Sequence, residues 1–325
     1  MKPPDFRMIE TNGIRLRAAV QGEGPLILMV HGFPESWYSW RHQMGPFAAA
    51  GFTACAIDVR GYGGSDKPYP IEAYSMQNMA ADVAGAIDAL SPGAPAVLIG
   101  HDWGAPIVWH TAVLHPERVR AVAGLSVPYY GHPPAPVTQI IKAMYTDQGR
   151  FFYQAYFQDE GVAEAAFEAD VRAGLRKLYY AGSGDSDVYW GGADKKHGDP
   201  LLDGLPDPDP FPGWLSEDDI DYYVGEFKKS GFRGPLNRYR NFERDWAYMN
   251  AIEDRAIHQP SLFIAGERDL VLRMFGGDAE AAVMRMRENA TDFRGAHVIP
   301  DIGHWTQQEA PDETTGLLID WLATV

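Results

Sequence analysis

The chain has 325 residues, 46% of them hydrophobic, and a formal net charge of −16. That length fits about two small domains or one large α/β domain carrying an insertion, and the acidic balance excludes a partner such as nucleic acid, whose phosphates call for clustered Lys and Arg. One cysteine, Cys55, excludes an intrachain disulfide, no His/Cys grouping has zinc spacing, and no apolar run suits a bilayer span or signal peptide, so a soluble cytoplasmic protein with no metal or cofactor is expected.

Residues 7–21 alternate apolar and polar side chains around Asn12-Gly13, a hairpin signal. Leu26-Ile27-Leu28-Met29-Val30 is continuously apolar, as a strand buried on both faces should be, and runs into His31-Gly32-Phe33-Pro34. Ser36 is placed to cap a helix reaching about Ala50, and Thr53 to Asp58 reads as the next strand, with Cys55 inside it. The loop Arg60-Gly61-Tyr62-Gly63-Gly64-Ser65-Asp66 has neither the lysine nor the spacing of a phosphate loop, so a surface turn is expected there. A helix near Ser75–Leu90 follows. Ala96-Val97-Leu98-Ile99 then leads into Gly100-His101-Asp102-Trp103-Gly104 and a helical pattern, and Val119–Val127 is a further strand. Repeated strand-then-helix with doubly buried strands predicts a mostly parallel sheet with helices on both faces.

After Pro128 the alternation stops, and helices rich in Tyr, Phe and Trp run to about Asp254. Ala181–Gly213, full of Gly, Asp and Pro, is too long for an ordinary connection. Ser261–Ala265 restores a core strand, a helix lies around Gly277–Glu288, Ala296-His297-Val298-Ile299 is a last strand, and Pro311 opens a C-terminal helix. The expected organisation is an α/β core, residues 1–128 and 255–325, interrupted by a helical cap, residues 129–254.

Strand, tight turn, helix is the context of a G-x-S-x-G nucleophile elbow, and here its centre is Asp102. A serine that attacked a strained or halogenated alkyl carbon would be left as an ether, which does not hydrolyse. A carboxylate is left as an ester, which an activated water can cleave. The competing reading makes Asp102 the N-cap of the following helix. Ester cleavage needs a base, an acid that orients it, and donors for the oxyanion. In the chain order nucleophile, acid, base, Asp269 follows the strand at 261–265 and His304 follows the last strand, with Glu267 the alternative acid. The backbone N–H groups of Phe33 and Trp103 are the expected oxyanion donors. Opening an epoxide would also leave an alkoxide needing a proton, which a phenol can supply. The cap holds many tyrosines, and their spacing does not choose among them.

The chain resembles the hydrolase portion of the soluble epoxide hydrolases, within the α/β-hydrolase superfamily, over nearly its whole length. The resemblance rests on His31-Gly32-Phe33-Pro34-Glu35-Ser36-Trp37-Tyr38-Ser39-Trp40-Arg41, on the elbow and on Gly303-His304-Trp305. Two cap segments also match, Tyr153-Gln154-Ala155-Tyr156-Phe157-Gln158 and Gly231-Phe232-Arg233-Gly234-Pro235-Leu236-Asn237-Arg238-Tyr239-Arg240. It implies Tyr153 and Tyr239 as the pair that clamps the epoxide oxygen, with Tyr156 the competitor of Tyr153. It also implies a small apolar epoxide and water as partners, and leaves a homodimer open. The enlarged cap loop at 181–213 departs from the mammalian pattern and bears on substrate range. The rival is a haloalkane dehalogenase, which also uses an elbow Asp followed by a halide-binding Trp, as Trp103 could be. Phe33 argues against it, because dehalogenases usually carry a polar or acidic residue there. A catalytically dead fold used for sensing would lack one of these positions, and an esterase would need Ser at position 102.

Overall fold

The computed structural model describes residues 3–190 and 194–325. Its centre is one eight-stranded sheet of β1 (Asp5–Thr11), β2 (Ile14–Gln21), β3 (Leu26–Val30), β4 (Thr53–Ile57), β5 (Ala96–His101), β6 (Val119–Leu125), β7 (Ser261–Gly266) and β8 (Phe293–Ile299). The spatial order is β1-β2-β4-β3-β5-β6-β7-β8. β1 and β2 form the expected hairpin, and both Asn12 and Gly13 take positive φ at its turn, as a two-residue loop that follows the strand twist requires. β2 meets β4 antiparallel, and every pairing from β4 onward is parallel.

The continuous apolar runs are explained by the two faces of this sheet. Along β3, Leu26, Leu28 and Val30 enter one apolar cluster and Ile27 and Met29 the other, because successive strand side chains point to opposite faces. The first face is covered by α2 (Met76–Leu90), α3 (Gly104–Leu114) and α11 (Ala279–Asn289) through residues such as Val83, Ile107 and Met286. The second is covered by α1 (Arg41–Ala49) and α13 (Pro311–Leu322) through Met44, Phe47, Leu318 and Trp321. Ser36 caps as expected, its Oγ accepting from the Tyr38 N–H, but the chain makes a 3₁₀ turn over Trp37–Trp40 before α1 begins.

Between β6 and β7 the chain leaves the sheet and builds α4 (Val137–Met144), α5 (Tyr153–Tyr156), α6 (Val162–Ala169), α7 (Val171–Gly182), α8 (Glu217–Ser230), α9 (Arg233–Asn237) and α10 (Phe242–Asn250). The first-face cluster runs on into these helices through Phe157, Tyr179, Tyr223 and Tyr239. Polar contacts span the same junction. Arg17 on β2 bonds both Asp58 and Glu226 of α8, and the buried Arg238 bonds Asp245 and the Tyr74 carbonyl. The turn at 60–66 is therefore less of a surface feature than its glycines suggest. Arg60, Gly61 and Tyr62 are buried, and a Cβ on Gly61 would meet the Tyr74 ring at 2.7 Å.

The Gly/Asp/Pro stretch begins inside the last turn of α7, and residues 191–193 of it lie outside the described residues. The described remainder is anchored by buried Trp190, Leu201 and Leu205. A short α12 (Thr306–Glu309) precedes α13. No helix among the described residues is long and apolar enough to cross a membrane.

Candidate active site

The ends of β3, β5, β7 and β8 lie on one edge of the parallel sheet, where open α/β folds form their sites. The elbow after β5 is as tight as its glycines imply. Asp102 itself has φ 49°, a strained conformation for a non-glycine residue that costs of order 1–3 kcal/mol. A Cβ on Gly100 would lie 2.2 Å from the Gly104 carbonyl oxygen, and one on Gly104 would lie 2.0 Å from that of Val30. The N-cap reading of Asp102 fails, because its side chain is turned elsewhere. Oδ1 accepts from the Phe33 N–H at 2.7 Å and Oδ2 lies 3.3 Å from His304 Nε2.

His304 is fully buried, and its Nδ1 sits 3.0 Å from Asp269 Oδ1, which also accepts from the Val271 N–H at 2.8 Å. Burial would lower the imidazole pKa, but the charges of Asp269 and Asp102 and the hydrogen bonds to both carboxylates raise it well above the ordinary value. Glu267, the alternative acid, is exposed, and among the described residues its side chain accepts one long bond, from the Asp301 N–H. Asp102, His304 and Asp269 thus form one line. Of the two expected oxyanion donors, the Phe33 amide reaches the carboxylate, and the Trp103 amide makes no bond to it among the described residues.

Tyr153 and Tyr239 are both buried, with ring centroids 6.1 Å apart. Burial, followed by the charge of Asp102, raises both phenol pKa values well above 10.0. They are neutral donors near the carboxylate. Tyr156 is only half-buried, and burial and the charge of Asp203 raise its phenol. Phe33, Phe157 and Trp103 pack edge-on against Tyr239, and Trp190 from the long loop packs edge-on against both Tyr153 and His304.

Beneath this line lies a polar layer that the sequence motifs contain without revealing its role. His101 Nδ1 is 2.7 Å from Glu35 Oε2, and its Nε2 is 2.7 Å from the His304 carbonyl oxygen. Glu35 also accepts from the Gly32 N–H and from Gln307 and Gln308. Burial would raise the Glu35 carboxyl, but His101 and the amide hold it down at about 2. Ser126 Oγ donates to the same His304 carbonyl. In the sequence, Glu35 and His101 stand out only as polar residues beside doubly apolar strands. Among the described residues no group of three or more His, Cys, Asp or Glu side chains is placed to hold a metal ion.

Residues 25–193 match the family model for the alpha/beta hydrolase fold. The chain is 40% identical to epoxide hydrolase A of Mycobacterium tuberculosis over 99% of its own length and 98% of that protein. It is 41% identical to bifunctional epoxide hydrolase 2 of Rattus norvegicus, over 96% of its own length and 54% of that protein. Among solved structures it is similar to an epoxide hydrolase from an endophytic Streptomyces, with TM-score 0.93 and 41% identity over 99% of this chain and 96% of that one. The chain therefore belongs to the epoxide hydrolases of the α/β-hydrolase fold.

Proposed function

We propose that the chain converts epoxides to vicinal diols through a covalent alkyl ester on Asp102. The observation that carries this reading is the approach of His304 Nε2 to Asp102 Oδ2 at 3.3 Å, beside two buried phenols that feel the same carboxylate. Asp102 attacks an epoxide carbon, the C–O bond breaks, and a phenol of Tyr153 or Tyr239 delivers its proton to the departing oxygen. At rest His304 is an imidazolium held between two carboxylates. Once Asp102 becomes a neutral ester, one of those charges is gone, and the imidazolium gives its proton back to the phenolate. The neutral imidazole, oriented by Asp269, then takes a proton from water as hydroxide adds to the ester carbon. The Phe33 and Trp103 amides meet the tetrahedral oxyanion. Collapse returns the Asp102 carboxylate, the imidazolium and the diol, so that one water is consumed per epoxide.

The lining of Phe, Trp and Tyr rings suits a small apolar epoxide. Dehalogenation is the weaker reading, because two buried phenols that can protonate a departing alkoxide lie near Asp102, and the apolar Phe33 stands where dehalogenases usually carry a polar or acidic residue. We divide the chain into a core of residues 1–128 and 255–325, which supplies nucleophile, acid and base, and a cap of residues 129–254, which supplies the phenols. We place the enzyme in the cytoplasm, and a homodimer is the assembly that sedimentation velocity should test for. The chemical test is a single turnover in oxygen-18 water with enzyme in excess. The first diol should carry unlabelled oxygen from Asp102. Label in that first diol would mean direct attack by water and would refute the ester.

A further inference from the structure

The backbone on either side of His304 is held by one side chain that the mechanism leaves unused. Glu309, the last residue of α12, accepts from the Gly303 N–H at 3.1 Å and the Gly184 N–H at 2.8 Å through Oε2, and from the Trp305 N–H at 2.8 Å through Oε1. The amide between these two, that of His304, donates to the Gly182 carbonyl at 2.7 Å. Gly182 ends α7 and Gly184 follows it, so this carboxylate ties the insertion to both flanks of His304. The two segments touch without slack. A Cβ on Gly303 would lie 2.3 Å from the Gly184 nitrogen, and one on Gly184 would lie 2.0 Å from the Asp301 carbonyl oxygen. Three amide bonds on one carboxylate exceed what the end of a four-residue helix needs for its own geometry. Removing the acceptor would leave three buried or half-buried donors without partners.

We propose that Glu309 is a positioning residue that sets the reach of His304 during ester hydrolysis, and that it does so by clamping the end of α7 to the loop 303–305. The inference rests on the reading of His304 as the base for the second step. His304 is not needed to open the epoxide, so loosening it should spare alkylation and slow hydrolysis. A slower hydrolysis step lowers kcat and KM together and leaves kcat/KM nearly unchanged. A general loss of folding or of site geometry would lower kcat/KM.

The test compares Glu309→Gln, Glu309→Ala and His304→Gln with the unaltered protein, using styrene oxide as the probe. Burial pushes the Glu309 carboxyl up to about 7 against the pull of its amides. Glutamine approximates its protonated form and keeps its volume, but its NH2 group cannot accept. Hydrolysis of the alkyl-enzyme should slow about 10-fold in Glu309→Gln and about 10²-fold in Glu309→Ala, the cost of a misplacement near 1 Å. Alkylation should stay within about threefold, and intact-protein mass spectrometry should find the substrate mass accumulating on Asp102. If Glu309→Ala does not fold by circular dichroism, Glu309→Gln decides. A folded variant whose kcat is unchanged, or whose kcat/KM falls in step with kcat, overturns the inference. Accumulation in His304→Gln but in neither Glu309 variant refutes the role of Glu309 alone. No accumulation in His304→Gln removes the base assignment, and this inference falls with it.

Discussion

Gly32 offers a direct measure of how closely Asp102, the proposed nucleophile, is held. Its φ lies outside the left-handed region, so alanine is disfavoured there by space alone. A Cβ would lie 2.3 Å from Asp102 Oδ1 and 2.4 Å from Asp102 Cβ, where ordinary contact begins at 3.4 Å. The carboxylate must therefore retreat by roughly 1 Å, a displacement that near-attack geometry penalises by about 10²-fold. The retreat also pulls Oδ1 from the Phe33 N–H, now 2.7 Å away, and one oxyanion donor is worth roughly 10²–10³ in rate. In Gly32→Ala we expect alkylation about 10²-fold slower and ester hydrolysis slower by roughly 10²–10³. Stopped-flow fluorescence follows alkylation through Trp103, the neighbour of the nucleophile, and mass spectrometry counts the ester. Gly225 on α8 is the control, since its Cβ would meet nothing within 4 Å. Gly225→Ala should keep full activity and gain up to about 1 kcal/mol of stability, because alanine is the better helix former. A folded Gly32→Ala protein that alkylates within about threefold of the unaltered rate would show that the carboxylate has slack and refute the argument.

Tyr153→Phe and Tyr239→Phe should each slow alkylation by up to roughly 10²–10³, with the double variant far slower than either, because each phenol can partly replace the other. Both phenols are raised above the ordinary 10.0, so the alkylation rate of the unaltered protein should show no alkaline fall below that pH. A double variant with near-full activity would remove the pair from the mechanism. Glu35 predicts an acid limb in stability. Its folded carboxyl sits at about 2, below the ~4.3 of an unfolded glutamate, so its contribution is present above the unfolded value and is lost as pH falls through the folded one. The amount is about 3 kcal/mol, and guanidinium unfolding at a series of pH values should show a shallower acid limb in Glu35→Gln. Equal limbs would mean that another group carries the acid sensitivity.

Much of the core was legible in the chain because its signals are local. Apolar runs such as Leu26–Val30 require burial on both faces, Asn12-Gly13 allows a two-residue hairpin, and glycines at 100 and 104 mark a turn too tight for side chains. The order of Asp102, Asp269 and His304 relative to strand ends was likewise readable, since parallel strands deliver their C-terminal ends to one edge. The cap tyrosines came from resemblance, because the spacing of aromatic residues on short helices does not say which ring turns inward. Only the tertiary structure separates Tyr153 from Tyr156, by burying one against Tyr239 and leaving the other half-exposed. It alone rejects Glu267, two residues from Asp269 but on the outside of the loop. The layer of Glu35 and His101 and the clamp of Glu309 were invisible for the same reason. Their partners lie far away in sequence, as with His101 and the His304 carbonyl, or Glu309 and the Gly184 amide. Backbone donors and acceptors carry no residue identity, so a sequence cannot announce which side chain they will meet.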